Sequence, residues 1–104
     1  MFECRRATAA DVRDILADLS EISRSEMATL GVPPDKREFF ISVYLGRGIA
    51  WCCSLDKKPL FIIGFEPDRP GVRSGWFLAS QRYFGLGPSG IRKTRATMRM
   101  LSAW

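Results

Sequence analysis

Apolar residues recur along this chain at two periods, and the change from one to the other marks where helices give way to strands. Val12, Ile15, Leu16, Leu19 and Ile22 fall at three- and four-residue intervals, so they share a helix face while Arg13, Asp14 and Asp18 stay in water. A first strand, Phe2 to Arg6, precedes this helix, and Thr8 or Asp11 supplies its cap. Ser20 or Ser23 opens a second short helix that runs through Met27 and stops at Gly31. Val32-Pro33-Pro34 breaks the pattern, after which Asp35 to Leu45 reads as a helix whose Phe39, Phe40, Val43 and Tyr44 supply aromatic and aliphatic bulk.

From Ile49 the helical period disappears. Ile49–Leu55, Leu60–Glu66 and Gly75–Ser80 read as three successive strands, with Asp56-Lys57-Lys58-Pro59 and Pro67-Asp68-Arg69-Pro70-Gly71 as the turns of an antiparallel meander. The first two of these strands are apolar almost without interruption, so both their faces need cover. Ile91 to Trp104 closes the chain as a helix with Ile91, Arg95, Met98 and Leu101 at neighbouring positions; Gly90 weakens its first turn by about 1 kcal/mol relative to alanine. The expected class is α+β, a mostly antiparallel sheet flanked by helices, in one domain over residues 1–104.

Composition narrows the chemistry. An apolar content of 46% in 104 residues suits a globular domain and argues against disorder. No run approaches the roughly 18 apolar residues that span a bilayer, and the segment from Met1 to Arg6 lacks the apolar core of a signal peptide. Histidine is absent, and Cys4, Cys52 and Cys53 have no Cys-x-x-Cys spacing, so neither a metal centre nor an imidazole-activated nucleophile is expected. The cysteines read as small apolar strand residues in a reducing compartment, with Cys4 close to the other two if the first two strands pair. The net charge of +5 is unevenly spread: all eleven acids lie in residues 1–68, whereas residues 69–104 hold seven bases and no acid. That basic third, Arg69, Arg73, Arg82, Arg92, Lys93, Arg95 and Arg99, suits an acidic protein surface, a phosphorylated cofactor or nucleic acid, or else a solvated helix face.

One motif stands where the last strand hands over to the basic helix. Arg82-Tyr83-Phe84-Gly85-Leu86-Gly87 places two glycines so that backbone amides and a helix start could face a pyrophosphate. Arg5-Arg6-Ala7-Thr8-Ala9-Ala10-Asp11 follows the first strand. Together these segments resemble the GCN5-related N-acetyltransferase (GNAT) family, whose first strand often ends in Arg-x-Ala-Thr-x-x-Asp and whose acetyl-CoA loop is Gln/Arg-x-x-Gly-x-Gly/Ala. The later part, Ser74-Gly75-Trp76-Phe77 leading through Ser80-Gln81 into a basic helix, also resembles GNAT-like internal virion proteins of short-tailed phages.

By that resemblance, acetyl-CoA would lie along Trp76 to Ser80 with its pyrophosphate on Arg82, Tyr83, Phe84, Gly85, Leu86 and Gly87. The helices between the first two strands would wall an acceptor site, and Glu66 is the candidate base, a turn pairing with Arg69 being its alternative role. Pro88 removes one amide from the cradle. An acetyltransferase also continues beyond this helix into a fifth strand, a further helix and a final hairpin, so the resemblance implies a half domain truncated after the cofactor-loop helix. The expected function is therefore a non-enzymatic phage virion-associated structural or accessory protein in the host cytoplasm or the virion. It would need no cofactor and would pack against other chains or copies of itself through Trp76, Phe84, Arg92, Arg95, Arg99, Leu101 and Trp104. The alternatives are an acetyl-CoA-dependent N-acetyltransferase completed by oligomerisation or a partner, and a small nucleic-acid-binding module.

Overall fold

The computed structural model describes residues 2–103 and, within them, all side chains except those of Asp68, Arg73, Thr94, Thr97, Met98, Met100 and residues 101–103. Four strands form one antiparallel sheet in the order β1-β2-β3-β4: β1 Phe2–Arg6, β2 Ile49–Leu55, β3 Lys58–Arg69 and β4 Val72–Ala79. The class is α+β. The helices are α1 Ala9–Leu16, α2 Glu21–Thr29, α3 Arg37–Arg47, α4 Gln81–Phe84 and α5 Gly87–Ala103, and one 3₁₀ turn, Pro34–Lys36, precedes α3.

The local signals place most of these ends. Thr8 caps α1 and Asp11 answers it, closing a capping box in which the Asp11 N–H donates to Thr8 Oγ1 and the Thr8 N–H donates to Asp11 Oδ2 at 2.8 Å. Ser20 caps α2 by accepting the Ser23 N–H. The β2–β3 turn has positive φ at both Asp56 and Lys57, as a two-residue hairpin turn that follows the twist of its strands requires. The next hairpin is longer than its sequence suggested: Pro67 to Arg69 stay in β3, and the reversal falls at Pro70-Gly71, where Gly71 takes φ +77°.

Three further expectations are corrected. The helical period that included Leu19 and Ile22 breaks after Leu16; Leu19 is buried through an antiparallel bridge to Ser80, and Ile22 lies on α2 with 55% of its surface exposed. In α3, Phe39 and Val43 face solvent while Ile41 takes the core position. Cys4 and Cys53 are joined by a disulfide across the β1–β2 ladder, where they sit directly opposite each other, so only Cys52 remains a thiol. Burial pushes that thiol up to about 11.

The sheet is covered on both faces, as its continuous apolar runs require. Val12, Ile15, Leu19, Met27, Ile41, Cys52, Ile62 and Leu78 pack on the side of α1 to α3. Phe61, Leu60, Ala79 and Tyr83 pack on the other, with Phe77, Leu86 and Ile91 against them, so α4 and the start of α5 close that face. In the first turn of α1, Asp11 is buried and accepts from both terminal nitrogens of Arg5, at 2.7 and 2.8 Å. Burial pushes its carboxyl up, but the bonds from Arg5 and Thr8 outweigh burial and hold it below the usual carboxylate range. No helix among the described residues is long and apolar enough to cross a membrane.

Candidate functional site

Two places attract attention on this frame: the turn after β4, and a hollow beside β4 itself. Both are built on the same strand, from its end and from its flank.

The turn is a tight helical one. Ser80 is buried, donating its N–H and its Oγ hydrogen to the Leu60 carbonyl at 2.9 and 2.8 Å, so the chain leaves β4 anchored to β3. From there the amides are used locally: Tyr83 N–H reaches the Ser80 carbonyl, Gly85 N–H those of Gln81 and Arg82, and Leu86 N–H that of Tyr83. Arg82 turns back toward the sheet, where its Nη2 donates to the Pro59 carbonyl at 3.0 Å and its Nη1 lies 3.3 Å from Asp18 Oδ2. Tyr83 is buried against Phe61 and Phe77, with ring centroids 5.2 and 5.7 Å away. Phe84 stands 42% exposed beside it. Gly87, at φ +77°, makes the corner into α5, and Leu86 fits only because Gly90 has no Cβ to meet it.

The hollow lies between α2, α3 and the flank of β4. It is a cavity of about 310 Å³ whose apolar walls include Met27, Ile41, Tyr44, Trp76 and Leu78. Trp76 lies across Gly64 of β3, where any Cβ would collide with the indole, and the Tyr44 ring sits tilted against it with centroids 6.0 Å apart and 5.0 Å from that of Phe40. Glu26 and Glu66 are the charged residues of its lining, with Ser23 and Ser74 as hydroxyls. Such a lining suits an extended or cationic guest whose body is apolar.

The sequence-predicted site residues therefore divide. Glu66 and Trp76 meet at the cavity. Arg82 to Gly87 gather at the turn, with Arg82 and Tyr83 directed inward. Arg92, Arg95 and Arg99 are exposed along α5; Leu101 has no described side chain and Trp104 lies outside the described residues. Glu26 and the Asp18–Arg82 pair carried no local signal, because each acquires its meaning from an element distant in sequence.

No protein-family model matches the chain, and no curated protein matches it. Among solved structures it is similar to an acetyltransferase of the GNAT family from Streptococcus pneumoniae, with a TM-score of 0.50 at 16% identity, over 94% of this chain and 66% of that one. The fold is thus GNAT-like. The chain spans just under two thirds of that protein's length.

Proposed function

We propose that this chain is a protein-binding component on an acetyltransferase-like scaffold, not an acetyl-CoA-dependent transferase. The observation that carries the reading is the turn after β4: the amides of Tyr83, Gly85 and Leu86 are committed to local carbonyls, and Arg82 is committed to Asp18 and Pro59. A pyrophosphate needs free N–H groups and an outward cation, and Pro88 supplies no N–H either. The stretch from Tyr83 to Leu86 therefore offers a diphosphate no donor, and what remains is the first turn of α5 with Pro88 in it. The finer reading, a phage virion-associated accessory protein, is supported by the sequence resemblance of Ser74 to Gln81.

Titration calorimetry with coenzyme A tests the reading: no saturable heat is expected at millimolar ligand. Tight binding that is lost in Gly85→Trp would overturn it. The second reading, N-acetyl transfer, is favoured by the cavity beside β4, where Glu66 would take the proton of an amine and the helix walls would hold the acceptor. Thiol release from acetyl-CoA across a panel of amines distinguishes the two.

A further inference from the structure

In an antiparallel ladder, successive residues turn their N–H and C=O alternately toward and away from the neighbouring strand. Ser80 N–H bonds the Leu60 carbonyl, and the register continues as Ile62 opposite Leu78 and Gly64 opposite Trp76. The even-numbered residues of β4 thus bond to β3, and Ala79, Phe77 and Gly75 turn their backbone groups outward. Ala79 shows an outward position filled: its N–H donates to Ser23 Oγ at 3.1 Å and its carbonyl accepts the Ser20 N–H at 2.9 Å. With the Leu19–Ser80 bridge and the bond from Gln81 N–H to the Asp18 carbonyl, residues 18–20 make a stub one bridge long beside β4, and Ser23 adds its hydroxyl from the first turn of α2. The stub reaches no further than Ala79. Phe77 and Gly75 have no such cover among the described residues, and Gly75 is exposed.

A strand added beyond the stub would lie between two hollows that share Glu26 and Trp76 and differ in the rest of their lining. On one face is the cavity of about 310 Å³, whose charged lining residues among the described ones are Glu26 and Glu66. On the other is a shallow groove where Ile22, Phe77 and Phe84 supply apolar surface beside Glu26, which borders both hollows, and both Ile22 and Phe84 are exposed. Side chains of a strand alternate between faces, so an added strand presents every second residue to each hollow.

We infer that the outer edge of β4 docks an extended segment of a partner protein, which bonds to Gly75 and Phe77, places a Lys or Arg in the carboxylate-lined cavity and sets an apolar neighbour against Ile22 and Phe84. The inference rests on the protein-binding reading and adds the partner's chemistry. A second copy does not meet the requirement: outward backbone groups pair only in a register that brings Ser74, Trp76 and Leu78 of its β4 to the cavity side, and none of these is cationic.

The test titrates the full chain with an end-blocked heptapeptide of alternating Lys and Val, read by anisotropy and by amide chemical shifts. Saturable binding is expected, with the largest shifts at Gly75 and Phe77. Binding should disappear when Glu replaces Lys, or when the peptide amides that face β4 are N-methylated. The double variant Glu26→Gln with Glu66→Gln should weaken it roughly tenfold or more, since it removes charge-assisted bonds from the surface without touching the core. No saturation by about 1 mM, binding indifferent to N-methylation, or shifts confined elsewhere would overturn the inference. Coenzyme A is titrated in the same samples: with both ligands inert only the docking inference falls, whereas tight coenzyme A binding removes the reading beneath it.

Discussion

β1 and β4 are the two edges of one sheet, yet they meet solvent with opposite chemistry. β1 is five residues long, exposes Glu3, Arg5 and Arg6, and is joined to β2 by the Cys4–Cys53 disulfide. Its following turn is closed by Arg5, Thr8 and Asp11, and the Ala7 N–H still reaches the Ala50 carbonyl. β4 is eight residues long, carries Gly75 and Phe77 on its outward positions, and among the described residues is covered where residues 18–23 meet Ala79. Short, charged edges resist strand addition, and long edges with glycine and aromatic residues permit it. The comparison teaches that an edge is shut or open according to its side chains, not its place in the sheet.

The largest effect should come from opening the shut edge. Reducing the Cys4–Cys53 bond, which closes a 49-residue separation, should lower unfolding stability by about 2–4 kcal/mol in urea titrations, and Cys4→Ser should do the same. The peptide response at Gly75 and Phe77 should survive under native conditions. If reduction abolished it, the two edges would not be independent.

Asp11→Asn is the next step down. It keeps the shape of the corner but removes the charge that holds Arg5 and weakens the capping box, so a loss of about 2 kcal/mol is expected by thermal or chemical unfolding. The sign of its pH dependence follows from the lowered folded-state value. The Asp11 contribution is complete above the unfolded carboxylate pKa, near 4, and is lost as pH falls through the lower folded value. The stability difference between wild type and Asp11→Asn should therefore be widest near neutrality and shrink in acid. A difference that grew on acidification would show that Asp11 is not ionised in the fold.

The smallest change in stability should come at the open edge. An added Cβ at Gly75 meets only ordinary contacts with the Phe65 ring and the Gly64 carbonyl, so Gly75→Lys should alter stability by less than about 0.5 kcal/mol. It should nonetheless block capture of the Lys-Val peptide, because a charge on the edge recreates the chemistry of β1. Retained capture in this variant would dissolve the contrast between the edges.

Where neighbours in sequence decide the structure, the chain is legible. Thr8 and Asp11 announce the α1 cap, Asp56-Lys57-Lys58-Pro59 the place of a hairpin turn that closes within its first two residues, and the two apolar runs a sheet covered on both sides, because capping, turn geometry and alternation act over a few residues. Glu66 and Trp76 were visible as candidates for the same reason of type and position. Leu19 reads as helical because its spacing continues that of Ile15, whereas in the fold it leaves the helix and bridges Ser80 at the sheet edge.

By itself, then, the sequence determined the α+β class, the order of the four strands and the burial of both faces of the central strands, while α4 at Gln81–Phe84 and the exposure of Phe39 and Val43 were not in it. Only the tertiary structure decided the rest. Arg82 is drawn to Asp18 and the Pro59 carbonyl because packing α4 against the sheet brings those acceptors within reach, while an open loop would have left it facing solvent. Cys4 meets Cys53 because the β1–β2 register sets them opposite, and the β4 edge stays open at Gly75 because the stub ends at Ala79. Each of these depends on contacts between distant segments, whose geometry exists only once the sheet has formed.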